Sequence, residues 1–394
     1  MGSTRRQFVT GTASVAALSA IGATEAANAS APTDLPYPDV NWPDDVREGP
    51  DTPKLCQWFS RNPDEKTVRR WRQAGVTGAL VTDTPPLPWG IDTLRADRTR
   101  LEALGLHVTA YLISGPESAI LGTEDRDRDI DDIKRSLVAA GKAGIPVVEY
   151  NWYVHRLTEG YYELIDEDDR LGAGYTAFDY DREIDGVPVK DLPREPGTPE
   201  FSYDQLWEHY EHFLREVIPV AHEAGVRMAL HPNDPPAPIS RGNPQILGSV
   251  RDWKRMVETV DSPSNGMTVH SGVATEVGAD AVDFVRYMGE RDRINHIHYR
   301  NVLVDAPRLK YAEVFPDNGQ TDMFAFMREL VRQGYHRGIL PEHPRALDYD
   351  REHDEITGQY AKVGGGGHAG ELYDTGYCRA MLQAALIAEG KAGR

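Results

Sequence analysis

Cysteine is scarce: the 394 residues contain only Cys56 and Cys378. Two thiols cannot build a disulfide framework or a cysteine-based zinc site, so any bound metal needs other donors. Long apolar runs are also missing. A spanning helix needs about 20 consecutive apolar residues; no stretch approaches that, and the mean hydropathy is −0.52, so no membrane span is expected. The third shortage is basic charge. Sixty-two acidic residues stand against 43 basic ones, a formal net charge of −19. That balance repels a phosphate backbone and argues against a nucleic-acid partner. It repels small anions too, so an anionic substrate must be captured by local cations.

The N-terminus has the composition of an address. Residues 1–29 carry Arg5 and Arg6 side by side, then Phe8, an Ala-rich weakly apolar stretch, and Ala27-Asn28-Ala29. This is the order of a secretory signal of the twin-arginine type, which implies an exported protein, periplasmic or extracellular, that leaves the cytoplasm already folded. Residues 30–50 are rich in Pro and Asp and read as an irregular lead-in.

From residue 51 to 394 short apolar runs alternate with segments of helical spacing, the pattern of a parallel sheet with crossover helices. Eight strands are expected, at 55–59, 77–82, 107–114, 147–152, 227–232, 267–272, 294–301 and 338–345. Eight closes a (β/α)8 TIM barrel, so one catalytic domain is expected. Helical segments at 66–74, 94–104, 133–143 and 207–224 each stop at a glycine, Gly75, Gly105, Gly144 and Gly225, shortly before a strand. The long connection at 156–205, with Tyr161, Tyr162, Tyr175 and Tyr180, reads as a lid-like excursion. The four glycines 364–367 read as a hinge or mobile segment before a closing helix near 379–389.

Strand alternation places His231, His270, His298 and Glu342 facing inward near the C-terminal ends of four consecutive strands, the face where barrel enzymes keep their active sites. Three imidazoles and a carboxylate suit Mn²⁺, Fe²⁺, Co²⁺ or Zn²⁺ better than Ca²⁺ or Mg²⁺. Arg300 shares a face with His298 and is expected above that ligand, where an anion would sit, while His296 lies one layer lower as a core or supporting residue. Glu149 and Asn151 share a face of the fourth strand. Glu149 is a further ligand, a base, a substrate contact or one half of an internal ion pair; Asn151 is a substrate hydrogen-bonding group. His343 follows Glu342 and is an acid–base candidate or a surface histidine. Arg345 is a second cation for an anionic substrate.

These residues lie in stretches that resemble the mannonate dehydratase family, xylose-isomerase-like barrels of sugar-acid catabolism. The similar stretches are RQAGVTGAL (72–80), VVEYNW (147–152), RMALHPNDPPAPI (227–239), VETVDSPSNGMTVHSG (257–272), HIHYRN (296–301) and YAEVFPDNGQTDM (311–323). The resemblance implies an Mn²⁺ enzyme that eliminates water from a six-carbon aldonate, with His231, His270, His298 and Glu342 as ligands and Arg300 and His343 beside them. The chain departs from the family pattern at His270, where the family has Cys, and at Glu342, where it has Asp. His343-Pro344-Arg345 stands where the family has His-Gly-His. The family's C-terminal tyrosine matches Tyr360, His368 or Tyr373 after gapping.

The leading expectation is therefore β-elimination on a sugar acid such as D-mannonate, giving a 2-keto-3-deoxy acid. Three alternatives stand beside it: metal-dependent isomerisation or epimerisation of a sugar, elimination on a 3-keto glycoside, and a carbohydrate-binding barrel without turnover. A homo-oligomer is compatible with the sequence.

Overall fold

A computed structural model describes residues 49–353, 356 and 361–391; the signal-like segment 1–29 and Tyr360 lie outside the described residues. Eight parallel strands form a closed barrel: β1 (Lys54–Phe59), β2 (Gly78–Val81), β3 (His107–Ile113), β4 (Val147–Tyr150), β5 (Arg227–Leu230), β6 (Asn265–His270), β7 (Ile294–Tyr299) and β8 (Gly338–Pro341). Neighbours in the sequence are neighbours in the barrel, and β8 closes against β1 through Lys54 opposite Gly338. All eight expected strands are present. Most end earlier than the apolar runs do, because the residues that follow turn out to build the site.

The helices begin where local capping allows. Asp64 Oδ1 accepts from the Thr67 amide at 2.9 Å to start helix Glu65–Gln73. Ser202 and Gln205 form a reciprocal capping box at the head of helix Tyr203–Glu223. The glycine stops are structural: Gly75, Gly105, Gly144 and Gly225 all take positive φ, between 70° and 89°, which a Cβ-bearing residue resists. The closing helix is longer than expected, His368–Ala388.

Inside the barrel, Cys56, Leu80, Ala110, Val147, Ala229 and Leu340 form a small apolar plug. A much larger apolar layer lies between the strands and the surrounding helices. This is the two-shell packing that burial of a parallel sheet on both faces requires.

The main departure from the sequence-based expectation is a second sheet. Strands Tyr161–Leu164, Tyr175–Asp179, Lys310–Val314 and Asn301–Ala306 pair antiparallel in that spatial order. The run expected as one strand over 294–301 breaks at Arg300, and Asn301 opens a strand of this other sheet. Its tyrosines are core residues: Tyr161 and Tyr180 pack with Phe178 and Tyr311, and Tyr175 packs with Phe315. The glycine run is also packed rather than free. Gly365 bridges to Arg345, and a side chain on Gly366 or Gly367 would overlap Pro344 or Asp350.

Candidate active site

The barrel register fixes the height of each side chain. His270 on β6 lies directly opposite His298 on β7, and His298 opposite Leu340 on β8, so Glu342 projects from just beyond that strand. His231 follows the last residue of β5, its amide bonded to the Tyr150 carbonyl at 2.8 Å. The four expected ligands do converge. The three imidazoles meet edge to face, with centroids 5.6 Å (His231–His270), 5.0 Å (His231–His298) and 5.3 Å (His270–His298) apart. One nitrogen from each falls within 4.8 Å of the others, and His270 Nε2 lies 2.9 Å from Glu342 Oε1.

The donor set fits a metal ion. Both nitrogens of His298 are buried without a hydrogen-bond partner among the described residues, an expensive state unless something binds there, while His270 Nε2 and Glu342 Oε1 face one another. His231 Nδ1 is 2.7 Å from the Pro232 carbonyl; donating there leaves Nε2 with its lone pair for an ion. His270 Nδ1 accepts from the Val273 amide at 3.3 Å, so in this tautomer Nε2 carries the ring proton toward Glu342 Oε1, and an ion would take Nε2 once that proton shifts to Nδ1. Burial drives His231 and His298 down to about 3, and neighbouring imidazoles add to the effect, so both are neutral, as ligands must be.

Above the ring lies a dense ion network. Arg300 is buried, with Nη2 2.6 Å from Glu276 Oε1 and 3.2 Å from Asp234 Oδ2, and Nη1 2.9 Å from Glu313 Oε1 and 3.4 Å from Glu342 Oε1. Gly272 makes room for it: a Cβ there would stand 2.7 Å from Arg300 Nε. Arg300 therefore sits beside the ring as expected, but its guanidinium is taken up by carboxylates and is not among the groups lining the cavity.

His343 occupies the left-handed region, φ 51°, a strained setting for a residue with a side chain. Its Nδ1 is 3.0 Å from both Glu313 carboxylate oxygens and its Nε2 3.0 Å from Glu342 Oε2. Burial pushes its pKa down, but Glu313 and Glu342 outweigh that and carry it up to about 9. Burial likewise opposes ionisation of Glu342, yet His343, Arg300 and His270 hold it well below the usual carboxylate range. Arg345 is fully buried, donating from Nη1 to the Glu313 carbonyl (2.8 Å) and from Nε to the His343 carbonyl (3.0 Å).

A cavity of about 520 Å³ opens over this assembly. Its walls include His231, His298, Glu342, His343, Asn151 and Arg345, with Glu149 at depth and Arg156, Asp234, Gly365 and Gly366 also contributing. Arg156 is a cation that the sequence pattern did not single out; it donates from Nε to the Asp234 carbonyl at 2.7 Å and keeps a quarter of its side chain exposed. Asp234, Glu276 and Glu313 were likewise missed. The available signal for Glu313 was a carboxylate between apolar neighbours in YAEVF, and for Glu276 one that ends the small-residue run SGVATE. His368 packs edge to face on Trp71, and the Tyr373 hydroxyl donates to Asp317 at 2.8 Å; neither lines the cavity.

Comparison with known proteins agrees with the barrel fold. The family model for D-mannonate dehydratase (UxuA) matches residues 53–195 and 198–380. The mannonate dehydratase of Thermotoga petrophila is 29% identical over 322 residues, covering 74% of this chain and 89% of its own. That of Streptococcus equi subsp. zooepidemicus is 29% identical over 344 residues, 81% and 93% of the two chains. The crystal structure of mannonate dehydratase from Streptococcus suis superposes with a TM-score of 0.70 at 26% identity, covering 86% of this chain and 96% of that one. Barrel, site and matched length together make the chain a member of the D-mannonate dehydratase family.

Proposed function

We propose that the protein is a metal-dependent carbon–oxygen lyase that removes water from a sugar acid such as D-mannonate and releases a 2-keto-3-deoxy acid, with Mn²⁺ as the ion. The observation that carries the reading is the convergence of His231, His270, His298 and Glu342, three of which, His231, His298 and Glu342, line a cavity large enough for a hexonate. A dication held there supplies Lewis-acid stabilisation of charge on substrate oxygens.

The chain's own residues divide the remaining work. Elimination passes a proton from the carbon next to the carboxylate to a base, releases the hydroxyl of the next carbon as water once an acid has protonated it, and leaves an enol that tautomerises to the 2-keto acid. His343 faces the cavity with a carboxylate at each ring nitrogen, an arrangement in which both nitrogens carry protons. It is the proton donor in this reading. Glu313 positions it, and Arg300 and Arg345 hold Glu313 in place. Arg156 takes the role first expected of Arg300, pairing with the substrate carboxylate, and Asn151 contacts a hydroxyl. The proposal includes export: the twin arginines precede a cleavage site after Ala29, so a secreted form beginning at Ser30 is expected in N-terminal sequencing.

The test is metal content with turnover. Purified protein should hold a transition ion and dehydrate D-mannonate; chelation should stop turnover and Mn²⁺ should restore it. Turnover unaffected by complete metal removal would refute the reading.

A further inference from the structure

One layer below the ring, the barrel holds a buried carboxylate flanked by two imidazoles and a hydroxyl. Glu149 on β4 is 1% exposed and lies level with Ala229, two residues before His231. Its ion-pair contacts among the described residues are both imidazoles: Oε2 is 3.4 Å from His296 Nδ1 and 3.4 Å from His298 Nε2. Both nitrogens are buried and lack a hydrogen-bond partner among the described residues. Thr268 Oγ1 donates to the same Oε2 at 2.7 Å and fixes the carboxylate.

We propose that Glu149, His296 and His298 hold a second divalent transition ion beneath the first, with His298 shared between the two sites. This rests on the reading of the upper ring as a metal site. The spacing is that of a coordination shell: donors about 2.1 Å from a tetrahedral ion stand about 3.4 Å from one another. Two imidazoles and a carboxylate with an open fourth position form a set suited to borderline transition ions, whereas Mg²⁺ and Ca²⁺ prefer oxygen donors. The orientation of His298 permits sharing, since Nε2 is its nearer nitrogen to Glu149 and Nδ1 its nearer nitrogen to Glu342, at 3.8 Å. His296 turns its other nitrogen, Nε2, toward Cys56 Sγ at 3.8 Å, which leaves Nδ1 for the ion. Glu149 and His298 both line the cavity, so the lower site is reachable from it. A ring that donates both lone pairs gives up its N–H proton to solvent, so the lower ion binds second and more weakly.

The experiment loads metal-stripped full-length protein with Zn²⁺ or Co²⁺, counts ions per chain by mass spectrometry, and locates them by anomalous diffraction at the metal edge. Two ions at saturation are expected, the second among Glu149, His296 and His298. In Glu149→Gln the count should fall to one, with the upper ion retained. Saturation of the unaltered protein at one ion, with anomalous density confined to the ring, would overturn the second site and leave the first standing. A count of zero would overturn both. The ion count on the unaltered protein decides between these outcomes even if the variant does not fold.

Discussion

The barrel wall and the antiparallel sheet at its mouth contribute to the same cavity in different ways. The wall contributes donors: the parallel register sets His270 level with His298, while His231 follows the end of β5 and Glu342 stands two residues beyond Leu340, the residue opposite His298. The sheet contributes charge control. Glu313, on its Lys310–Val314 strand, reaches down to Arg300, His343 and Arg345. The contrast teaches that the strands decide what can bind, and that the added sheet sets the protonation and orientation of the group proposed to move the proton.

Substitutions on the two sides should therefore separate metal content from chemistry. The largest effect belongs to the wall. His231→Ala should empty the ring and lower turnover by at least ~10³-fold, the several kcal/mol that a Lewis acid contributes; a variant that keeps its ion would mean His231 is not a ligand. Next comes the sheet. Glu313→Gln should keep the ion and lower kcat by about 10²-fold, the usual reach of a misplaced acid–base group. Loss of metal from this variant would erase the distinction between the two regions.

Arg156 sharpens the comparison at the cavity rim. Arg156→Met should raise KM for a sugar acid about 10-fold or more, the loss of one charge-assisted hydrogen bond, with kcat and metal content little changed. An unchanged KM would move the carboxylate contact elsewhere. The smallest effects are on stability. Gly366→Ala should lower the melting temperature through an overpacking cost of about 1–3 kcal/mol, because its Cβ would collide with Pro344. A neutral result would restore the view of this segment as a free hinge.

The same contrast explains what could be read from the sequence. The barrel was legible because a strand buried on both faces must be an apolar run, and a crossover helix must stop before the next strand; all eight strands and the four glycine stops follow from that. The ring was legible because strand alternation converts position into direction. The sheet was not. Its strands are short and rich in tyrosine. Although Tyr161–Leu164 pairs locally with Tyr175–Asp179 and Asn301–Ala306 with Lys310–Val314, the two hairpins meet only through Tyr175–Asp179 against Lys310–Val314, more than 130 residues apart in the chain, so no local signal announces the sheet. The pairing of Arg300 was hidden for the same reason: its carboxylate partners Asp234, Glu276 and Glu313 come from three separate segments. Charge counting within one strand could not reveal that the guanidinium was already occupied.

The replacements at His270 and Glu342 leave the ring with nitrogen and oxygen donors only, a harder site than one containing thiolate. That favours Mn²⁺ as the ion of the proposed reaction and fits a ring of imidazoles to which neither cysteine contributes.

The most direct test is the mass of the product. Mn²⁺-loaded protein incubated with D-mannonate should yield an acid lighter by one water, with a ketone next to the carboxylate. A product of unchanged mass would identify an isomerase or epimerase instead, and binding without conversion would contradict the lyase account altogether.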